Sequence, residues 1–162
     1  MQMPESRYEH VQPSALRWIL HAVIIAIATY AIFIVGPTIA EKERILVWTI
    51  LAFACVTILI SSEIFTRLTV RDEGDVLAIR FGPIPLVSKR IPYEMIAKVE
   101  LARSNIIDGW GIHSLPRRGT IWNVWGFDCI RLTLNNGKKF RLGTDDQQAL
   151  FEFLKEQITE RE

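Results

Sequence analysis

The sequence predicts an α+β chain in two parts: a membrane α-helical hairpin, then a small soluble domain in which a strongly bent sheet or barrel is closed at one end by a helix. Three observations predict it. Two apolar runs without Asp, Glu, Lys or Arg, at 18–40 and 45–62, lie back to back. From residue 65 onward apolar and polar residues alternate over short segments separated by turn signals. After residue 144 the apolar spacing changes to that of a helix.

The runs hold 23 and 18 residues, so as helices they reach roughly 35 and 27 Å against a hydrocarbon core of about 30 Å. Both can cross, as spans of about 18–38 and 45–62. Thr38-Ile39-Ala40 offers the small residues of a signal-peptide cleavage site. However, Glu5 and Glu9 precede a run far longer than the apolar stretch of about 7 to 15 residues that such a peptide carries. A buried core helix would show a polar stripe, whereas only His21, Thr29 and Tyr30 interrupt the first run and Thr49, Cys55 and Thr57 the second. Arg7 and Arg17 precede the hairpin, Arg67 and Arg71 follow it, and the connection holds only Lys42 and Arg44. Four cations against two place both termini in the cytoplasm of a two-span inner-membrane protein. The expected organisation is an N-terminal cytoplasmic tail at 1–17, a hairpin at 18–62 and a domain at 65–159.

From Phe65 to the end there are 15 Lys and Arg and 13 Asp and Glu, a net charge of +2. That is no footprint for nucleic acid, which calls for a strongly basic stripe. Cys55 and Cys129 are too far apart in sequence for a metal-ligand pair, and two cysteines make no disulfide framework.

Alternation predicts strands at 65–71, 76–81, 86–91, 96–103, 112–115, 121–124, 129–134 and 138–142. Leu77, Ile79 and Phe81 share one face of the second, and Ala97, Val99 and Leu101 one face of the fourth. Ile130, Leu132 and Leu134 share a face of the seventh. Asp72-Glu73-Gly74-Asp75 turns the chain, Pro83 and Pro85 break any ladder, and 104–111 is the first long loop. Asn135-Asn136-Gly137 is a strong hairpin turn because its residues tolerate positive φ. Thr144 with Gln147 has the form of a capping box, and Asp145 and Asp146 suit the positive end of a helix dipole. Leu150, Phe151, Leu154 and Ile158 then line one face of a helix of roughly 14 residues that packs on the sheet.

Several stretches carry a resemblance. Asp108-Gly109-Trp110-Gly111-Ile112-His113, Ile121-Trp122-Asn123-Val124, Cys129-Ile130-Arg131-Leu132-Thr133-Leu134 and Asn136-Gly137-Lys138-Lys139-Phe140-Arg141-Leu142-Gly143-Thr144-Asp145-Asp146 resemble the bacterial pleckstrin-homology-like (PH-like) domains. The resemblance covers roughly 65–158, rests on order and turn placement, and extends to the two-span anchor that several members carry. It implies a seven-stranded, partly open antiparallel barrel capped by a C-terminal helix. It implies little about activity, because one fold hosts many functions. Phosphoinositide-binding members of the wider group clamp phosphates with basic residues near the first hairpin. Here that hairpin is Asp72-Glu73-Gly74-Asp75 with only Arg71 at its shoulder, so phosphoinositide binding is not expected.

Two other features could meet a partner. Lys89-Arg90, Arg117-Arg118 and Lys138-Lys139-Arg141 could face an anionic bilayer, each cation contributing on the order of 1 kcal/mol, or form a solvated surface of mixed sign. Residues 110–125 hold three tryptophans interleaved with Gly, His and Arg, a composition that suits either an exposed aromatic platform or a sheet core. Alternation puts Trp122 and Val124 on one face, and Trp110 stands in a loop between two glycines. The candidate partner or membrane-surface contacts are Trp110, His113, Arg117, Arg118 and Trp122.

No Gly-x-Ser-x-Gly, His-Glu-x-x-His or phosphate-binding glycine loop is present, so no catalysis, cofactor or metal is expected. His113 with Asp108 or Asp128 would be the slender basis for a lipid-acting enzyme. His21, about one turn inside the first span, can reach water at the interface. The expected function is a non-enzymatic, membrane-anchored interaction module that meets a protein partner, with strand addition the natural mode. The alternative is an accessory subunit held in a larger complex through its hairpin.

Overall fold

In a computed structural model the described residues are 7–84, 86–105, 110–116 and 119–160. Helix α1 (Leu16–Tyr30) continues through a π-turn (Ala31–Val35) and a 3₁₀ turn (Gly36–Thr38), and α2 (Glu41–Ile64) follows. Pro37, which lacks a backbone N–H, stands in the 3₁₀ turn that closes the first helical stretch, and Ile39 and Ala40 are extended. Glu41 and Glu43 then occupy the first turn of α2, where carboxylates complement the helix dipole. The second helix is therefore 24 residues long, roughly 36 Å, and exceeds its charge-free run. The Thr49 and Thr57 hydroxyls donate to the Ile45 and Phe53 carbonyl oxygens, both at 2.8 Å, which satisfies them within the helix.

The two helices run antiparallel. His21 and Ser62 approach at their open end (Nε2 to Oγ 3.4 Å), and at the closed end a Cβ on Gly36 would lie 3.1 Å from the Trp48 ring. Both helices are long and apolar enough to cross a membrane, and only 6% of each apolar window is buried within the protein. A core helix of a soluble protein would be mostly covered.

Residues 9–13, expected within the N-terminal tail, form strand β1 (Glu9–Pro13). It pairs antiparallel with β2 (Arg67–Asp72), from Glu9 opposite Arg71 to Pro13 opposite Arg67. The Ser14 N–H extends the ladder to the Thr66 carbonyl oxygen at 2.9 Å. The helical hairpin thus occupies the place of a β-hairpin loop, leaving and rejoining the same end of one sheet. With β3 (Val76–Phe81) and β4 (Val87–Pro92) this sheet has the order β1-β2-β3-β4.

The second sheet contains β5 (Ile96–Arg103), β6 (Gly111–Leu115), β7 (Gly119–Asn123), β8 (Asp128–Leu134) and β9 (Lys139–Gly143), in the order β5-β8-β9-β7-β6. Nine strands among the described residues replace the seven that the resemblance implied, and they form two sheets without a closed barrel. Nor is the pairing antiparallel throughout. The β6–β7 hairpin sits in sequence between β5 and β8 and docks on the far side of β9, so β7 and β9 run parallel at Thr120–Phe140, Ile121–Arg141 and Trp122–Leu142.

The core lies between the sheets and helix α3 (Gln147–Thr159). Leu77, Ile79, Phe81, Ile130 and Leu132 are buried, as their alternation requires. In β5 the register slips between Ile96 and Lys98, leaving Ala97 as an extra residue. Ala97 is consequently exposed, Val99 is partly buried, and Leu101 is exposed at the sheet edge. Leu150, Phe153 and Leu154 are the buried residues of α3 that meet the core, with Phe151 and Ile158 at its margin. The capping box does not form. Thr144 Oγ1 accepts from the Asp146 N–H at 3.0 Å, while the Gln147 amide donates to the carbonyl oxygens of Ala102 (2.7 Å) and Cys129 (2.8 Å). Gln147 thereby ties the start of α3 to neighbouring strands β5 and β8.

The beginning of the chain closes over the same helix. The Tyr8 ring stacks on Phe153 with centroids 5.1 Å apart, and His10 Nε2 lies 2.5 Å from Asp145. The Arg7 guanidinium bridges Glu156 (2.8 Å) and Glu160 (3.1 Å). Residues 7–13 run from α3 at one end of the domain to the foot of the helical hairpin at the other.

Candidate contact surface at the foot of the hairpin

The site is built from a turn. At the end of β7 the buried Asn123 side chain accepts the Trp125 N–H at 3.1 Å and donates to the Gly126 carbonyl oxygen at 2.9 Å. This is the Asx-type closure that Asn supplies to a tight reversal, and Gly126 completes it at φ 77°. A Cβ on Gly143, at the end of neighbouring β9, would overlap Asn123 Oδ1. Only glycine there leaves room for the Asn123 amide.

Two polar side chains from the start of the chain hold the turn at the base of the helices. The Gln12 amide donates to the Trp125 carbonyl oxygen at 2.9 Å, and the Ser14 hydroxyl donates to the Val124 carbonyl oxygen at 3.1 Å. Ser14 Oγ also accepts the Leu16 N–H at 3.1 Å, so one hydroxyl joins the turn to the first turn of α1.

From this turn Trp125 stacks on Trp110, with ring centroids 4.4 Å apart and planes 23° from parallel. The Trp110 indole N–H donates to the Gly126 carbonyl oxygen at 3.3 Å. Trp110 remains 37% exposed, presenting an apolar ring with its polar edge already satisfied. His113 Nε2 donates to the Trp110 carbonyl oxygen at 2.8 Å, which fixes a proton on that nitrogen because a carbonyl can only accept.

Beside this pair runs β6, an edge strand of the five-stranded sheet. Its consecutive residues Ile112, His113 and Ser114 are all exposed, so the described residues fully cover neither face of the strand there. In adjacent β7, Ile121, Trp122 and Asn123 are all buried.

Of the five residues singled out from the sequence, the structure brings together Trp110 and His113. Trp122 belongs to the core: its ring packs 5.4 Å from that of Phe81 and 5.9 Å from that of Phe140, and it is buried. Its burial removes it from any partner-contacting surface. Arg117 and Arg118 lie outside the described residues, as does Asp108, the proposed neighbour of His113. Asp128, its other proposed neighbour, faces Arg103 at 3.7 Å. Among the described residues no three His, Cys, Asp or Glu side chains gather as a metal site would require.

The basic clusters are partly engaged. Arg90 pairs with Glu73 at 2.9 Å, Arg80 pairs with the same carboxylate, and Lys89 lies 5.2 Å from the Phe140 ring centroid. Lys138 and Lys139 line a shallow groove with Ser114, Leu115 and Thr120. Sequence reasoning missed Trp125 as the partner of Trp110, and with it Asn123, Gly143, Gln12 and Ser14. The Asn123-Val124-Trp125-Gly126 turn signal could have located the support, but not the ring it presents. No family model, curated protein or solved structure matches the chain.

Proposed function

We propose that this chain is a non-enzymatic integral membrane protein whose hairpin anchors a PH-like domain at the inner membrane surface, both termini cytoplasmic, as a docking module for a protein partner. The carrying observation is the position of the Trp110–Trp125 stack. Gln12 and Ser14 bind its turn to the base of α1, next to an edge strand whose outer side no other described strand pairs with. A partner strand added along β6 would gain backbone hydrogen bonds, and the exposed Trp110 ring would give it an aromatic anchor. Two sheets closed by a C-terminal helix support the PH-like reading, while β1 and the parallel β7–β9 pair depart from it.

The β1–β2 pair supports both ends of the hairpin lying on one side, and the balance of Arg7, Arg17, Arg67 and Arg71 against Lys42 and Arg44 supports a cytoplasmic side. The test is affinity capture of the tagged full chain from detergent-solubilised native membranes. Trp110→Ala and Ile112→Lys should insert and fold but lose a co-purifying protein that the unaltered chain retains. Recovery of every partner by both variants would overturn the contact. Loss only when the hairpin is exchanged for an unrelated one would move the contact to the spans.

A further inference from the structure

The connection between β3 and β4 carries two large apolar side chains that the described residues leave mostly exposed. Ile84 is 65% exposed and Leu86 is 72% exposed, in a connection that also contains Gly82 and Pro83. Isolated exposed apolar residues need no explanation, but two in one turn beside a membrane helix do.

The turn is held against the end of α2. A Cβ on Gly82 would lie 2.9 Å from the Ile64 carbonyl oxygen and 3.1 Å from that of Glu63, so the backbones meet at a distance only glycine allows. Gly82 adopts φ 73°, its N–H donates to the Arg67 carbonyl oxygen at 2.9 Å, and the Arg67 guanidinium reaches back to its carbonyl oxygen at 3.5 Å. Glu63 is the first charge after the apolar run of α2. Gly82 is therefore fixed at the level where that helix leaves its apolar stretch.

An open groove of about 390 Å³ separates the turn from the start of α1, lined by Arg17, Trp18, Glu63, Arg67 and Pro83. Arg17 lies over the Trp18 ring, 4.7 Å from its centroid. Two guanidiniums and one carboxylate leave the groove cationic, and Arg and Trp together are the residues of a headgroup layer.

We infer that the β3–β4 turn is a third membrane contact, with Ile84 and Leu86 inserted into the cytoplasmic leaflet beside the hairpin and lipid headgroups seated in the groove between Arg17 and Arg67. The occupant is the bilayer, because the turn is continuous with the helix end that emerges from it. The insertion fixes the orientation of the domain, which two helices joined to one sheet end leave free to tilt. It rests on the reading that α1 and α2 cross the membrane.

The test places an environment-sensitive fluorophore on single cysteines of the full chain, in a Cys55→Ala background where Cys129 is buried, and reconstitutes it in phosphatidylcholine vesicles containing one-fifth phosphatidylglycerol. Probes at Ile84→Cys and Leu86→Cys should emit blue-shifted light and be quenched by acyl-chain spin-labelled lipid. A probe at Lys155→Cys, on the helix that holds Arg7 at the far end of β1, should show neither effect. A probe at Phe53→Cys reports the middle of α2. Quenching at 53 with emission at 84 and 86 as wet as at 155 overturns the third contact and leaves the anchor standing. Absence of quenching at 53 overturns both.

Discussion

Pro13 stands opposite Arg67 as the last register pair of β1 and β2, and the whole apolar hairpin lies between them in the chain. Antiparallel pairing requires the strand before the hairpin and the strand after it to occupy one sheet, and a sheet cannot be divided across a bilayer. Cysteines introduced at Glu9 and at Lys155 should therefore react with a membrane-impermeant maleimide from the same side of sealed vesicles, to a similar extent, in the Cys55→Ala background. Opposite accessibility would mean that β1 does not pair with β2 in the membrane.

The eight strands from β2 to β9 and helix α3 are legible in the sequence from apolar periodicity and turn signals, although burial does not alternate in β6 or β7. Strand β1 is not. Glu-His-Val-Gln-Pro contains one aliphatic residue, and its buried Gln12 finds its hydrogen-bond acceptor in a turn more than a hundred residues later. The same distance hides the Trp110–Trp125 stack, which depends on where two loops meet rather than on either loop. Ala97 shows a third limit: one bulge residue changes the facing of a strand, and alternation alone cannot locate the bulge. The Thr144–Gln147 spacing does mark a helix start, but tertiary carbonyls capture the Gln147 amide in place of the local cap.

Gly143 and Gly74 separate two reasons for glycine. Gly74 has φ 84° and open space where a Cβ would stand, so Gly74→Ala meets only backbone strain, about 1 kcal/mol. Gly143→Ala drives its methyl into Asn123 Oδ1 and must displace a fully buried amide that closes the Trp125 turn. The expected cost is about 2 to 4 kcal/mol, from overpacking and broken buried hydrogen bonds together. Denaturant midpoints of the two variants, followed by tryptophan fluorescence, should fall in that order. Equal midpoints would mean that the Asn123 amide can move aside without loss.

Tyr8 gives the domain an alkaline limit. Its hydroxyl is held well above the ordinary tyrosine value of 10.0, chiefly by burial and then by the charge of Asp146, to which it donates at 3.3 Å. The folded state therefore favours the neutral phenol more than the unfolded chain does. This stabilisation is complete below about pH 10 and is lost as pH rises toward the folded value. The denaturant midpoint should fall as pH rises above about 10 in the unaltered protein and fall less in Tyr8→Phe. Identical slopes would show that Tyr8 titrates as freely in the folded state as in the unfolded one.

Trp122 and Trp110 should divide stability from recognition. The Trp122 ring packs between Phe81 and Phe140, so Trp122→Ala leaves a cavity in the core and should cost about 3 to 5 kcal/mol. Trp110 loses one stacked ring face and one hydrogen bond on truncation, at a partly exposed position, so Trp110→Ala should cost about 1 kcal/mol. The partner-binding defect should follow the reverse order once binding is measured on the folded fraction: complete for Trp110→Ala, and slight for the conservative Trp122→Phe. If Trp122→Phe loses the partner while Trp110→Ala keeps it, recognition depends on the packing of the sheet rather than on the exposed ring.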